Sequence, residues 1–252
     1  MNKVLYIILI SHFSLTVISC SSSSDSGSSA TTQDNSYPSG PKGRGFVAVG
    51  HSGTVIKSID NGSSFEKIII QEYSFEEKTW GIFTTRINGV TFGNNSIVGP
   101  SDSGNMLISL DKGSSFGPRW CYPCPNYNAV GFGNSTFIVG GDSGAMRRSV
   151  NNAKDWYSQN SPLGTTINGV TFGNNTFIAV GASGNIVRST DNGSSFDNVT
   201  SPTSNHLNAV TFGSNIFVGV GNNGNILRST DNGSTWNNVT SPTTNHLYGV
   251  TF

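Results

Sequence analysis

The apolar residues after position 44 fall in short runs separated by turns rich in Gly and Asn. In the stretch from Leu207 to Val239 four such runs follow one another, with turns at 222–224 and 231–233. Apolar residues that alternate with polar ones predict half-buried β-strands, and Gly and Asn between them predict hairpin turns. No stretch after residue 44 has the apolar spacing of a helix. The pattern therefore predicts an all-β domain built of four-stranded antiparallel units.

The four-stranded unit repeats at a fixed interval. The segment INGVTFG at 87–93 recurs in the same register at 127–133, 167–173 and 207–213, and as LYGVTF at 247–252, a spacing of 40 residues. A fixed period near 40 with four strands in each unit predicts a β-propeller, in which the strands pack radially around an axis. A β-solenoid is the competing fold, but its coils are usually shorter.

The predicted number of blades follows from the incomplete units at the two ends of the repeat. Residues 46–70 supply the second to fourth strands of a unit, and residues 247–252 supply only a first strand. If these pair, the propeller is a closed ring of five blades, the other four lying at 86–120, 127–160, 167–201 and 207–241. The alternative is a piece of a larger propeller. We favour closure because an open ring leaves two sheet edges exposed.

An eight-residue motif, S-x-D-x-G-x-[ST]-[WF], occurs once in each unit, and we call it the box turn. It lies at 58–65, 109–116, 189–196 and 229–236, and a degenerate copy at 149–156 has Asn151 and Ala153 for the Asp and Gly. In a hairpin turn the Asp accepts backbone N–H groups, the Gly supplies positive φ, and the aromatic packs into the blade. The predicted structural residues are Asp60, Gly62, Phe65, Asp111, Gly113, Phe116, Asp191, Gly193, Phe196, Asp231, Gly233 and Trp236.

The box turn resembles the Asp-box, or BNR repeat, of sialidases and many other propellers. A sialidase needs an arginine cluster for the substrate carboxylate and a tyrosine nucleophile. No F/Y-R-I-P segment typical of sialidases occurs here, and Arg148, Arg188 and Arg228 recur at one strand position, with Lys57 equivalent in the first unit. That recurrence indicates a scaffold feature or a basic stripe. No catalytic residue, metal ligand or cofactor is predicted.

The chain is also similar to the exported Asp-box propellers of the photosystem assembly-factor-like type, which are binding scaffolds. This resemblance implies a non-enzymatic scaffold for a protein or glycan partner. The alternative is a glycan-active enzyme, a sialidase-like glycosidase or a lyase, that uses the face opposite the box turns. The chain has 14 basic and 14 acidic residues, so its formal net charge is +0. A nucleic-acid partner is therefore not expected.

The turns between second and third strands are predicted to lie opposite the box turns. Their first position varies within a constant frame in which each residue is followed by x-Gly, and two histidines end connecting loops on the same side. A specialised binding face would show such variation, but sequence drift also produces it, and we favour drift. The candidate ligand-face residues are His51, Asp102, Asp142, His206 and His246.

An insertion at 66–86 and a cysteine pair interrupt the repeat. The insertion places aromatic residues on a loop, where they are candidate partner contacts or fold back over the ring mouth. Trp120-Cys121-Tyr122-Pro123-Cys124 resembles the thioredoxin motif, but a strand follows it and not a helix. We therefore predict a local Cys121–Cys124 disulfide in an oxidising compartment. The candidate partner-loop residues are Tyr73, Phe75, Trp80 and Phe83.

Residues 1–19 have the layout of an export signal, with Lys3 ahead of an apolar run. The run ends in Val17-Ile18-Ser19-Cys20, which resembles the lipobox of bacterial lipoproteins and implies a lipidated Cys20. A short transmembrane anchor is the alternative, but the run is short for a bilayer. Residues 20–44 are Ser- and Gly-rich and predict a flexible tether, and 45–252 form the propeller. The expected location is the bacterial cell envelope, lipid-anchored, with the outer membrane or cell surface favoured over the inner membrane.

Overall fold

The computed structural model describes residues 17–19, 45–74, 78–121 and 123–252. Within these residues the chain forms five four-stranded antiparallel sheets and one two-stranded hairpin, and it contains no α-helix. The prediction of an all-β propeller with four-stranded blades is confirmed. Cys20 and Phe75 lie outside the described residues, and the side chain of Tyr73 is not described.

Each sheet is a meander in which sequential strands are neighbours. The strands of sheets one and two and of the hairpin between them are β1 Val17–Ser19, β2 Phe46–Val49, β3 Val55–Ser58, β4 Glu66–Ile68, hairpin β5 Gln71–Ser74 and β6 Thr79–Ile82, β7 Thr91–Gly93, β8 Ser96–Pro100, β9 Met106–Ser109 and β10 Gly117–Arg119. Those of sheets three to five are β11 Tyr127–Gly133, β12 Thr136–Gly141, β13 Met146–Ser149, β14 Tyr157–Gln159, β15 Ile167–Gly173, β16 Thr176–Gly181, β17 Ile186–Ser189, β18 Asp197–Val199, β19 Leu207–Gly213, β20 Ile216–Gly221, β21 Ile226–Ser229 and β22 Asn237–Val239.

The first strands of the repeats lie around a common axis. Residues of the inner segments at 88–91, 128–132, 168–172, 208–210 and 248–251 line one central cavity of about 580 Å³. The sheets pack face to face around this cavity, and the apolar core lies in the layers between them. Between sheets four and five, for example, Ile178 and Ile186 pack with Phe217 and Trp236. Burial between neighbouring blades is therefore what holds the repeat together.

Glycines at the ends of the inner strands allow neighbouring blades to approach closely. A Cβ added at Gly133 would overlap the Phe172 ring of the next sheet, and one added at Gly173 would overlap Phe212. The INGVTFG segment thus pairs a phenylalanine on one blade with a glycine on the blade before it. This Gly–Phe contact explains why both residues recur at the same spacing.

The structure differs from the sequence prediction at the inner strand of sheet one. That position is held by β1, which pairs with β2 through Val17 opposite Ala48 and Ser19 opposite Phe46. Only one strand can pair with this edge of β2, and β1 occupies it. The predicted pairing with residues 247–252 is therefore absent. This C-terminal segment instead follows sheet five in repeat register, because Leu247 N donates to Gly221 O at 3.0 Å. It has no ladder partner among the described residues.

Candidate functional site

The box turns are closed by hydrogen bonds within the turn itself. In sheet one, Ser64 donates to Asp60 from both its backbone N, at 2.9 Å, and its hydroxyl, at 2.6 Å, and Gly62 N donates to Ser58 Oγ at 2.9 Å. The turns at Asp111, Asp191 and Asp231 have the same Asp bonds from the residue four positions on. The hydroxyl of Ser58, then that of Ser64, lowers the pKa of Asp60 from 3.8 to about 2. These carboxylates are committed to the turn.

The degenerate box turn keeps its geometry with the donor and acceptor exchanged. Asn151 Nδ2 donates to Asp155 Oδ2 at 2.7 Å, where the other turns have a hydroxyl that donates to the Asp. Asp155 N still donates to Asn151 Oδ1 at 2.9 Å. Ala153 takes the glycine position at φ 61 and is fully buried. The altered sequence is therefore a compensated version of the same turn, with no sign of a specialised site.

The box-turn carboxylates give stability a defined dependence on pH. The pKa of Asp231 is lowered from 3.8 to about 2, first by the Thr235 hydroxyl and then by the Thr235 backbone N–H. Because these folded-state pKa values lie below the unfolded ones, their stabilisation is complete above about pH 4 and is lost as the pH falls toward 2. Urea unfolding at pH 6, 4, 3 and 2 should show this decline, and Asp231→Asn should make it shallower. An unchanged slope in the variant would contradict this account of the turn.

The repeated basic residues join blades to one another. Arg148 Nε donates to Asn192 O at 2.8 Å, and Arg188 Nε donates to Asn232 O at 2.8 Å, both in the box turn of the next sheet. Lys57 Nζ does the same to Gly113 O at 3.0 Å. The recurring cations therefore belong to the scaffold. The three cations lie at three different junctions, and sheet two has Ile108 at the equivalent position, so they do not form the arginine cluster that would grip a substrate carboxylate.

The turns between second and third strands lie with the blade-to-blade loops on one side of the propeller, which we call the turn face. Its turns are the 3₁₀ segments Asp102–Gly104, Asp142–Gly144, Ala182–Gly184 and Asn222–Gly224 and the equivalent turn at 51–54. Each packs on the loop that leaves its own sheet, since a Cβ at Gly144 would meet Leu163 and one at Gly53 would meet Phe83. The hairpin β5–β6 belongs to the first of these loops, so it lies on the turn face.

Two of the candidate ligand residues are carboxylates that accept hydrogen bonds from asparagine side chains. Asn126 and Asn128 each donate to one oxygen of Asp142, both at 2.9 Å. Asn88 donates to Asp102 Oδ1 at 2.8 Å. Each aspartate therefore fixes the inner strand against the turn of its own blade. In the described part of the chain no group of three or more His, Cys, Asp or Glu side chains is placed to hold a metal ion.

The two histidines that end connecting loops serve as acceptors for backbone amides. Ser183 N donates to His206 Nδ1 at 2.8 Å, and Asn223 N donates to His246 Nδ1 at 3.0 Å. Asn126 Oδ1 holds the corresponding place in sheet two, where it accepts from Ser103 N at 2.7 Å. His51 is exposed in the first turn. The structure thus spreads the candidate ligand residues around the turn face and does not gather them at one point.

The inner segments carry a ladder of asparagines that the sequence pattern did not mark as functional. Its members are Asn88, Asn128, Asn168 and Asn208. Each side chain amide donates to a carbonyl of the next inner segment, to Tyr127, Ile167, Leu207 and Leu247 in turn, at 2.8–3.5 Å. The sequence feature that marks this ladder is the polar second position of INGVTFG, which recurs every 40 residues. At 248 a tyrosine takes this position, and it is exposed by 67%.

The described residues that line the central cavity beside the ladder are all uncharged. Its polar groups are the ladder asparagines, Tyr248 and threonines such as Thr91 and Thr171, and the rest are small or apolar residues. Such a lining can form hydrogen bonds with a ligand. It supplies no cation that would pair with an anionic substrate. The arrangement is unlike the arginine-lined site that sialidase chemistry requires.

The hairpin exposes two large apolar side chains on the turn face. Trp80 and Ile82, which share one side of β6 because they are two residues apart, are exposed by 66% and 61%. We call these two residues the hairpin patch. Phe83, predicted as a partner contact, is instead 1% exposed and lies in the core between sheets one and two, because the hairpin returns under the turn at 51–54. Burial raises the pKa of Glu72 in β5.

The loop between sheets two and three carries a disulfide between Cys121 and Cys124, with Cα atoms 5.4 Å apart. This loop packs under the turn at 102–104, where a Cβ at Gly104 would meet Cys124. Tyr127 follows and is 1% exposed. The pair therefore anchors a loop of the turn face, and no helix follows it as thioredoxin chemistry would require.

Comparison with known proteins shows the fold alone. No protein-family model matches the sequence, and no curated protein matches it significantly. The solved structure of YCF48 bound to D1 peptide matches with a TM-score of 0.58 at 18% identity, over 79% of this chain and 64% of that one. YCF48 from Cyanidioschyzon merolae matches at 0.51 and 16%, over 81% and 84%. A chain of the nidogen/laminin complex matches at 0.60 and 10%, over 82% and 80%. This chain thus spans under two thirds of the first of these structures.

Proposed function

We propose that this protein is an exported lipoprotein whose propeller binds a protein partner and performs no catalysis. Cys20 carries the lipid, residues 21–44 form the tether, and the turn face with its hairpin patch is the contact surface. The expected location is the outer membrane or the surface of a bacterial cell. The observation that carries the proposal is the exposed pair Trp80 and Ile82 on an element inserted into an otherwise regular repeat.

Three features support a protein partner over an enzymatic role. The box-turn aspartates and the junction arginines both form hydrogen bonds within the scaffold, so neither set is available for catalysis. The central cavity has an uncharged lining. Exposed aromatic and aliphatic side chains on a projecting hairpin are typical anchors of protein interfaces. A propeller of similar fold, YCF48, has been solved with a bound peptide.

The lipid anchor is tested by metabolic labelling with an alkyne-tagged fatty acid. We expect the full chain to incorporate the label and to partition with membranes, because acyl chains anchor a protein without spanning the bilayer. The variant Cys20→Ala should lose the label. The described part of the chain contains no helical segment that could span a bilayer. Label retained by Cys20→Ala would contradict the assignment of the lipid to this residue.

The contact surface is tested by quantitative affinity capture from envelope extracts. We expect Trp80→Ala to reduce recovery of a specific protein by about fivefold to thirtyfold, as loss of an interface aromatic costs about 1–2 kcal/mol. The matched control is Tyr157→Ala, which removes a 60% exposed aromatic at the box-turn end of sheet three, opposite the turn face. Equal loss in both variants would contradict the proposed surface. Cleavage of a glycan array would instead establish the glycan-active enzyme.

A further inference from the structure

An arginine contacts the Cys121–Cys124 disulfide at the junction of sheets two and three. Arg147 Nη2 donates to Cys124 Sγ at 3.5 Å. The same guanidinium interacts with Tyr127. Burial raises the pKa of this tyrosine, and the charge and the hydrogen bond of Arg147 act in the opposite direction. Arg147 therefore joins a sulfur atom and a phenol beside the core that Tyr127 and Cys124 share.

The positions of Arg147 and Tyr127 are aliphatic in the other units of the repeat. The residues equivalent to Arg147 are Ile56, Leu107, Val187 and Leu227, and those equivalent to Tyr127 are Ile87, Ile167, Leu207 and Leu247. A cation at a partly buried strand position costs free energy unless it has a polar partner. The arginine and the cysteine pair occur in the same unit and touch, which indicates that the charge acts on the sulfur.

The cysteine loop is also held in place by hydrogen bonds that do not involve sulfur. Asp142 N donates to Asn126 O at 3.0 Å, and Ser103 N donates to Asn126 Oδ1 at 2.7 Å. The loop between sheets four and five forms the same two bonds through His206 and contains no cysteine. Breaking the disulfide therefore leaves the bonds that position the loop intact.

A cation beside a sulfur atom stabilises the thiolate that forms when a disulfide opens. In reactive cysteine pairs the positive charge comes from a helix N-terminus or from a neighbouring Lys, Arg or His. No helix follows Cys124, but Arg147 supplies the charge. A sulfur that is stable as a thiolate is the better leaving group, and a stabilised reduced form makes the disulfide a stronger oxidant.

The surface beside Cys121 is apolar and exposed. Trp120 is exposed by 51%, and Pro123 and Pro125 are exposed as well. Trp120 directly follows β10, and the hairpin strand β5 lies near β10. Exposed aromatic side chains are typical contacts for a polypeptide. A thiol carried by a protein therefore fits this surface.

We propose that the Cys121–Cys124 disulfide is a thiol–disulfide exchange site that oxidises a dithiol on a protein partner. A thiolate of the partner attacks Cys121 Sγ, the bond between the two Sγ atoms breaks, and Cys124 leaves as a thiolate beside Arg147. The partner's second thiolate then attacks the partner sulfur of the mixed disulfide and releases Cys121.

The exchange moves two electrons from the partner to the cysteine pair. The partner's two thiols become a disulfide and lose two protons. Cys121 takes up one proton, and the other passes to solvent while Cys124 remains a thiolate. Each chain reacts once, without turnover. The exchange does not depend on the lipid anchor or on the hairpin patch.

The first test maps the attacked sulfur in the oxidised full chain, purified from envelopes in detergent. A synthetic peptide with one thiol reacts briefly without oxygen, N-ethylmaleimide blocks free thiols, and mass spectrometry of a digest locates both groups. We expect the peptide on Cys121 and the maleimide on Cys124. A peptide with two thiols should be converted to its disulfide, one for each chain. A peptide adduct on Cys124, or reduction of the pair by dithiothreitol but by neither peptide, would overturn the proposal.

The second test removes the charge with Arg147→Leu, since two other units have leucine at this position. In glutathione redox buffers at pH 7 we expect its disulfide to be about tenfold harder to reduce, because an adjacent opposite charge commonly changes a proton equilibrium by about that factor or more. In the reduced protein, the ultraviolet absorbance of the thiolate should appear at higher pH than in the wild type. Altered packing alone would not move that titration.

The matched control is Arg228→Ile, which removes a cation from sheet five and introduces the residue that sheet two has at the equivalent position, Ile108. We expect the reduction equilibrium and the thiolate titration to stay at their wild-type values. Equal changes in both variants, or no change in Arg147→Leu, would refute the role of Arg147. If Arg147→Leu does not fold, the adduct map of the wild-type chain decides between the two outcomes of the first test.

Discussion

Replacing Gly173 by Ala is expected to destabilise the protein by about 1–3 kcal/mol, as overpacking of a close-packed core does. The added Cβ would overlap the Phe212 ring, which packs against the core between sheets four and five. Neither partner can withdraw, because Gly173 lies in a paired strand and Phe212 in the next inner strand. Urea unfolding of the variant and the wild type measures the difference.

The matched control for this prediction is Gly213→Ala. Its Cβ would overlap Phe252 in the same way, but Phe252 is 84% exposed and can turn away. We expect a change within about 0.5 kcal/mol, as for ordinary surface substitutions. A cost at Gly213 equal to that at Gly173 would contradict the view that the Gly–Phe contact matters through packing between complete blades.

Removal of the Asp231 carboxylate should cost about 1 kcal/mol, the net value of exposed hydrogen bonds that water replaces in part. In Asp231→Ala the Ser229 hydroxyl, the Thr235 hydroxyl and the Thr235 backbone N–H all lose their acceptor. The loss should appear in the free energy of unfolding, with the partner affinity unchanged.

The degenerate turn provides the rescue for this variant. Asp231→Asn/Thr235→Asp rebuilds the arrangement of Asn151 and Asp155, in which the amide donates to the carboxylate. We therefore expect the double variant to recover most of the stability lost in Asp231→Ala. A double variant no more stable than Asp231→Ala would show that the exchange at 151 and 155 does not compensate for the missing aspartate.

The fold was predictable because the same pattern of strands and turns occurs five times along the chain. Strand alternation, Gly and Asn turns and the 40-residue period agreed, so the propeller and the role of residues such as Asp231 and Gly233 followed from local chemistry. The burial of Phe83 was not predictable, because the insertion occurs once and has no second copy to fix its register. The pairing of β1 with β2 was not predictable either, because β1 lies in a segment whose composition indicates an export signal.

The asparagine ladder shows a different limit of the sequence. Asn88, Asn128, Asn168 and Asn208 recur visibly, but their bonds run to carbonyls 39 residues on, in the next blade. A contact between repeats depends on how blades pack, which the pattern within one repeat does not specify. The junction bonds of Arg148 and Arg188 are of the same kind. Their recurrence predicted a scaffold feature or a basic stripe, and only the structure shows which carbonyl groups they bind.

Site-specific photo-crosslinking in intact envelopes tests the division between a structural scaffold and a binding turn face most directly. A photoreactive amino acid replaces Trp80 or Ile82 in the hairpin patch, or Tyr157 at the opposite end of sheet three. We predict that positions 80 and 82 form an adduct with the same protein, identified by mass spectrometry, and that position 157 does not. An adduct formed at 157 but at neither 80 nor 82 would contradict the account.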